Sequence, residues 1–465
     1  MLKPVTHWNL RRLKATYEEV EAALLKNQPP SPATLERLAR VGHMPDPLRE
    51  RAATESGRVV GHVLAATLGR GKVHWDALTP LVEVVRPNPQ EAGLARDMIA
   101  YLAGIRAIRR YMSAEMTRGS ETFFRPHVPA LRDVVGRVDR WLPGTRALKI
   151  LKAGLVSLDD RSAARSLYAE ALEEGWNGMA SSIFDLGAHT YLSGPEVWSR
   201  RRNPEEALPS EAVRQALTRR RPPYDRAWIN LVWSVDPGFL RIYGPMWFNI
   251  APYLVNEGIG MIMVVAGPQG PRGLAIDEAR DLIARSARFR NLPGADAYAD
   301  AVTFVEVEVP SWVGETKTYY ASARYLAALP ILEATGKPIL IADVDQTLRD
   351  PLGPFLKKLK DADVAIPQSR GLALMWPWRR NMAGTGYFAA TEASRGILKR
   401  VRDYVTAGLV EDPSWTLDQN ALAFALEEAS GVNVLDLYDT PRPLHQDNVR
   451  TIFEKTWRDG PATPP

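Results

Sequence analysis

The 465-residue chain has no cysteine. That excludes disulfides, iron–sulfur clusters and thiol nucleophiles. Long apolar runs are missing as well. The most apolar stretches, such as residues 259–267 and 338–342, fall well short of the ~20 residues a membrane helix needs. The first 25 residues lack the apolar core and small-residue cleavage site of a secretory signal. A strong charge of one sign is also absent: 59 Lys and Arg stand against 54 Asp and Glu, for a net +5. So small an excess fits solvated Arg-rich helices better than a nucleic-acid partner. The expectation is a cytoplasmic protein with no transmembrane segment, peripheral contact at the inner membrane being left open.

What is present is globular text of ordinary composition, 45% hydrophobic and 24% charged, long enough for two or more domains. Two grammars divide it. Over residues 1–221, apolar residues recur at three- and four-residue intervals, notably at 17–25, 34–41, 58–68, 92–114, 129–141, 145–155 and 162–176. Turn-prone groups such as Asn27-Gln28-Pro29-Pro30 and Pro45-Asp46-Pro47 separate them. This half reads as an all-α module. The Ala-rich text from Leu167 to Leu172 looks like one helix of a tetratricopeptide-like hairpin, although a fixed period of ~34 residues is not visible. Arg219-Arg220-Arg221-Pro222-Pro223-Tyr224 reads as a linker, because paired prolines oppose helix.

From residue 222 to 465 strand-length apolar runs (259–266, 303–309, 339–342, 364–366, 432–437) alternate with helical stretches (277–287, 318–333, 352–360, 392–407, 418–429). Strands buried on both faces with intervening helices make a doubly wound α/β sheet. Residues 239–266 are expected to hold its first two strands and the helix between them. Ligands in such sheets sit at the carboxyl ends of strands.

One strand end stands out. The run Lys337-Pro338-Ile339-Leu340-Ile341-Ala342 delivers Asp343 and Asp345. In extended backbone the i, i+2 spacing puts both carboxylates on one side, where they repel unless a cation lies between them. Oxygen ligands of this kind suit Mg²⁺ or Mn²⁺, with positions left for a diphosphate. A capped strand end is the plainer alternative.

With its surroundings this stretch resembles the GT-A glycosyltransferases, in particular the group with the fold of glycogenin and the bacterial lipopolysaccharide galactosyltransferases. The matching text runs from Ile339 through Asp350-Pro351-Leu352 to Asp363-Val364-Ala365-Ile366. Tyr319 to Leu326 resembles the helix before the acidic pair, Asn381 to Phe388 the segment lining the sugar pocket, and Trp415 to Leu422, with Asp418-Gln419, the helix start beside the reacting carbon. The resemblance implies a mixed doubly wound sheet, a UDP- or GDP-sugar donor, and Mn²⁺ or Mg²⁺ held by Asp343, Asp345 and a late His, for which His445 is the match. Tyr320, Arg324, Asp343, Asn381 and Gly384 would then bind the donor, with Asp343 joining the metal or holding the ribose. Asp418 and Gln419 would flank the reacting centre, Asp418 acting as base if configuration inverts. A glycan, lipid-linked or protein acceptor would be recruited by the helical half.

Plainer readings stand beside these. Arg324 could be a surface residue, Asp418 an N-cap, His445 a solvated loop residue. Met375-Trp376-Pro377-Trp378 could line an acceptor groove or pack on a core. Two other functions also fit. Asp343-Val344-Asp345-Gln346-Thr347-Leu348 matches the first motif of haloacid-dehalogenase-type phosphatases, with Ser369 and Lys399 as available partners, though Asp412 does not follow the apolar strand that family requires. Alternatively the helical half is a scaffold attached to an inactive transferase-like domain.

Overall fold

The computed structural model describes residues 104–173 (apart from 106 and 142), 202–219, 227–438 (apart from 349, 412–415 and 428), 440 and 444–446, with positions 19, 31–34 and 100. Two compact units share the chain. One holds Met1–Leu192 with Arg370–Arg380, the other Ser193–Ser369 with Asn381–Pro465.

Every described element of the first unit is helical. Helices α1 (Val128–Trp141), α2 (Arg146–Val156) and α3 (Arg161–Glu173) agree closely with the expected spans. Their buried residues explain why. Leu131, Val134, Val135 and Val138 form one stripe of α1, and Ala164, Tyr168 and Ala171 one stripe of α3. Apart from positions 19, 34 and 100, the expected helices at 17–25, 34–41 and 58–68, the first part of 92–114 (to 103), the end of 162–176 and most of the 219–224 linker lie outside the described residues. Trp378 is fully buried in this unit, 5.6 Å from the rings of both Trp376 and Tyr168. The Met375–Trp378 cluster is therefore core packing and not the wall of a groove.

The second unit begins earlier than the change of grammar at 221. Helices α4 (Pro204–Ala207) and α5 (Ser210–Thr218) bury Ala207 and Val213, with Leu208 between them, in its core. They are helical in period, but their apolar face belongs to the sheet. Strand β1 (Ile229–Val235) follows, then α6 (Pro237–Asn256), β2 (Ile259–Ala266), α7 (Gln269–Phe289), β3 (Val302–Val307), α8 (Thr316–Thr335) and β4 (Ile339–Ala342). Next come β5 (Gln346–Leu348), α9 (Leu352–Lys358), β6 (Val364–Ile366), β7 (Thr385–Phe388), α10 (Glu392–Glu411), α11 (Leu417–Glu427), β8 (Val434–Asp436) and β9 (Leu444–Gln446). The first strand thus precedes residue 239, where the run 239–266 was expected to start it. Its polar Asn230 and Ser234 interrupt the apolar signal.

Seven strands form one mixed sheet in the order β3-β2-β1-β4-β7-β6-β8, and β5 pairs with β9 in a separate ribbon. Within the seven-stranded sheet β7 runs antiparallel to both β4 and β6 and the other ladders are parallel, while the β5–β9 ribbon is antiparallel. Alternate residues divide between two cores. Leu231, Trp233, Met261, Met263 and Leu340 pack with α6, α7 and α9. Val232, Ile262, Val264, Ile339 and Ile341 pack with α5, α8, α10 and α11. Period-two alternation with apolar residues on both faces is what a sheet covered on both sides demands. Among the described residues no helix is long and apolar enough to cross a membrane.

Candidate functional site

The strand order reverses at β1. The chain passes from β1 to β2 and β3 on one side, then returns to place β4 on the other. The carboxyl edge between β1 and β4 is therefore the position where doubly wound sheets bind ligands. Asp236 follows β1 there, and Asp343 follows β4.

Asp236 is the N-cap of α6, accepting from Gly238 N at 2.6 Å and Phe239 N at 2.9 Å. The text Asp-Pro-Gly, a cap followed by proline at the first helical position, was an available signal for this helix start. Above β1, Ser234 Oγ donates to the Tyr320 carbonyl at 2.6 Å. That bond brings the first turns of α8, with Tyr320 half-buried, to the same edge.

One turn further along α8, Arg324 is buried. Its Nη2 lies 2.8 Å from Asp343 Oδ1 and 3.1 Å from Asp418 Oδ2, and donates to the Ala383 carbonyl at 3.3 Å. The reading of a surface Arg gives way to this arrangement. Its guanidinium is engaged by carboxylates from the end of β4 and the start of α11. Burial works against the Arg324 charge, but Asp343 and Asp418 outweigh it and hold the group protonated. Tyr325 completes the cluster, its hydroxyl donating to Ala383 O at 2.7 Å. Tyr325 lies inside the helix text that carries the resemblance, but it had no role there, because its partner is distant in the chain.

Asp418 is not an N-cap. Helix α11 starts at Leu417, so Asp418 lies inside the first turn. Its Oδ1 accepts from Gln419 N at 2.8 Å and its other oxygen faces Arg324. Burial pushes its carboxyl up to about 6, against the pull of Arg324. Gln419 itself is half-buried.

The acidic pair also differs from the extended arrangement expected. β4 ends at Ala342, and Gln346 N bonds to Asp343 O at 3.2 Å, closing a turn. Asp343 N donates to Gly384 O at 2.9 Å, and Trp247 Nε1 to Val344 O at 2.9 Å. The turn is thus pinned from β7 and from α6. The charge of Asp343 is met by Arg324, so repulsion from Asp345 does not by itself require a metal.

Gly384 has a packing role. A Cβ there would stand 2.5 Å from Asp343 Oδ2, so the missing side chain admits the carboxylate. Asn381 is buried and bridged to Gln368. The β5–β9 ladder sets His445 opposite Thr347, two residues from Asp345. Among the described residues no three His, Asp or Glu side chains gather closely enough to hold a metal ion; the His445 side chain lies outside them. The donor chemistry that fits such an ion is a carboxylate of the turn, Asp343 or Asp345, with His445 brought near by backbone pairing. Lys399, the partner available to a phosphatase, is 71% exposed and pairs with Asp403 on its own helix.

Comparison with protein families, curated proteins and solved structures finds no match.

Proposed function

We propose that the sheet unit is a GT-A-type, metal-dependent glycosyltransferase that moves a sugar from a UDP- or GDP-sugar to a glycan, lipid-linked or protein acceptor. The observation that carries this reading is the Arg324 bridge. It joins the carboxylate after β4 to the carboxylate at the start of α11, at the edge where the strand order reverses. The mixed sheet and the β5–β9 pairing, which brings His445 towards Asp345, lend support.

In this reading Asp345 and His445 would hold Mn²⁺ or Mg²⁺. When bound, the ion supplies positive charge beside the leaving nucleoside diphosphate. Asp343, oriented by Arg324 and seated against Gly384, presents its remaining hydrogen-bonding capacity to the donor, with Tyr320 and Asn381 flanking. Both oxygens of Asp418 already have partners. Its role is therefore to fix Arg324, with Gln419 beside the reacting centre, and not to take the acceptor proton. Retention of configuration follows as the expected stereochemistry, since it has no strict need of such a base.

The test is thermal stabilisation by nucleoside diphosphates, since a ligand that binds only the folded state raises its stability. UDP or GDP should raise the melting temperature with Mn²⁺ and less without it. No shift with either nucleotide, metal present, sinks the proposal. Hydrolysis of p-nitrophenyl phosphate would favour the phosphatase instead, but the exposed Lys399 speaks against it.

A further inference from the structure

After β6 the chain makes an excursion. Gln368 pairs with Asn381 in an antiparallel bridge, and Met382 N donates to Pro367 O at 2.9 Å. These contacts close the base of a loop whose tip, Arg370–Arg380, belongs to the helical unit. The tip is built into that unit's core. Trp378 is fully buried there, and Arg380, 6% exposed, donates from Nε to Leu374 O at 2.8 Å and from Nη2 to Ser157 Oγ at 2.6 Å. Gly371, at φ 56°, donates to Gly119 O at 3.2 Å, and a Cβ there would stand 2.5 Å from Thr117 O. On α2, a Cβ at Gly154 would stand 2.7 Å from Met375 O. Two glycines have thus been kept bare where the tip and the helices meet.

The other end of the loop is the candidate site. One residue past Met382, the Ala383 carbonyl receives the Tyr325 hydroxyl and Arg324 Nη2. Gly384 then lies against Asp343.

The geometry points to residues 370–380 as a positioning strap. Held inside the helical unit, the strap sets the register of residues 381–384, and through Ala383 and Gly384 it orients Arg324 and Asp343. Arg380 and Trp378 are positioning residues, acting through others on a site they do not touch. For its effect on catalysis the inference rests on the glycosyl-transfer reading; for its effect on backbone order it does not.

Two full-length variants test this. Arg380→Gln removes both anchoring bonds. Gly154→Ala crowds Met375 O from the opposite side, and because alanine is a better helix residue than glycine it leaves α2 itself unweakened. Amide hydrogen exchange is followed in peptides covering 339–348 and 381–388, with β1 and β2 as internal reference. Both variants should exchange roughly tenfold faster in those two segments while the reference strands stay unchanged, the mark of a local opening. UDP affinity in Mn²⁺ should fall, and the KM for donor should rise more than kcat falls. Faster exchange confined to the helical unit overturns the strap. Should the wild-type chain bind no UDP or GDP, the transferase reading fails, and the exchange measurement still decides the strap by itself.

Discussion

Gly384 and Asp343 fit one another so closely that a methyl group on the first would meet Oδ2 of the second at 2.5 Å and its Cγ at 3.4 Å. The carboxylate cannot simply turn away, because Oδ1 is held by Arg324 and the main chain by Gly384 itself. Gly384→Ala should therefore cost about 1–3 kcal/mol of stability, the usual range for overpacking a filled interior. Urea denaturation checks the stability. Nucleotide titration in Mn²⁺ should show a parallel loss of affinity; unchanged stability and affinity would mean that the site yields freely.

Arg324 is the one cation in contact with both Asp343 and Asp418 among the described residues. Replacing it with methionine keeps much of the volume and leaves two carboxylates facing each other without compensation. Removing one member of a buried charge cluster typically costs about 3–5 kcal/mol. Arg324→Met should fall in that range by urea denaturation at pH 7, and should recover part of the loss when Asp418→Asn is added. A double variant no more stable than the single one would show that the two residues are not coupled.

The pH dependence has a definite sign. Asp418 titrates near 3.8 when unfolded and at about 6 when folded, chiefly through burial. The folded chain therefore binds this proton more readily than the unfolded chain. Its contribution is fully present below pH 3.8 and is lost as pH rises through 6. The slope across that window is at most about 1.4 kcal/mol per pH unit. Subtracting the stability of Asp418→Asn from that of the wild type at each pH removes the contribution of the other carboxylates. The difference should become less favourable to the wild type between pH 4 and 6.5. A flat difference would show that the Asp418 carboxyl keeps its ordinary titration.

How much of this was legible beforehand depended on the range of the interactions. β2, β4 and β6 could be read because each is an unbroken apolar run, and Asp343 because it ends one of them. Helix α6 was harder to see, since Pro245 and Pro252 lie inside it. β7 is only four residues, one of them Gly386. Arg324 and Asp418 were each picked out, but as separate donor and acceptor contacts. Nothing local to either residue reveals that the chain folds back to join them across a separation of 94 positions. The same holds for Trp378. Its neighbours suggested a groove, and only the three-dimensional structure supplies Tyr168 as its partner.

Asp345 carries the part of the proposal that chemistry must decide. The turn that bears it is held by three main-chain attachments, from Gln346 N to Asp343 O, from Asp343 N to Gly384 O and from Trp247 Nε1 to Val344 O. All three are made by atoms of other residues and survive the loss of the Asp345 side chain. Asp345→Ala should therefore fold, with a far-ultraviolet spectrum close to that of the wild type, at a cost of at most about 3 kcal/mol. Thermal stabilisation by UDP or GDP in Mn²⁺ should nevertheless disappear, along with sugar transfer. Lys399→Ala is the control: as its ammonium is largely exposed, nucleotide binding and transfer should persist. If Asp345→Ala keeps both the Mn²⁺-dependent stabilisation and the transfer, the ion is held elsewhere, and the carboxylate is left with no task beyond the turn.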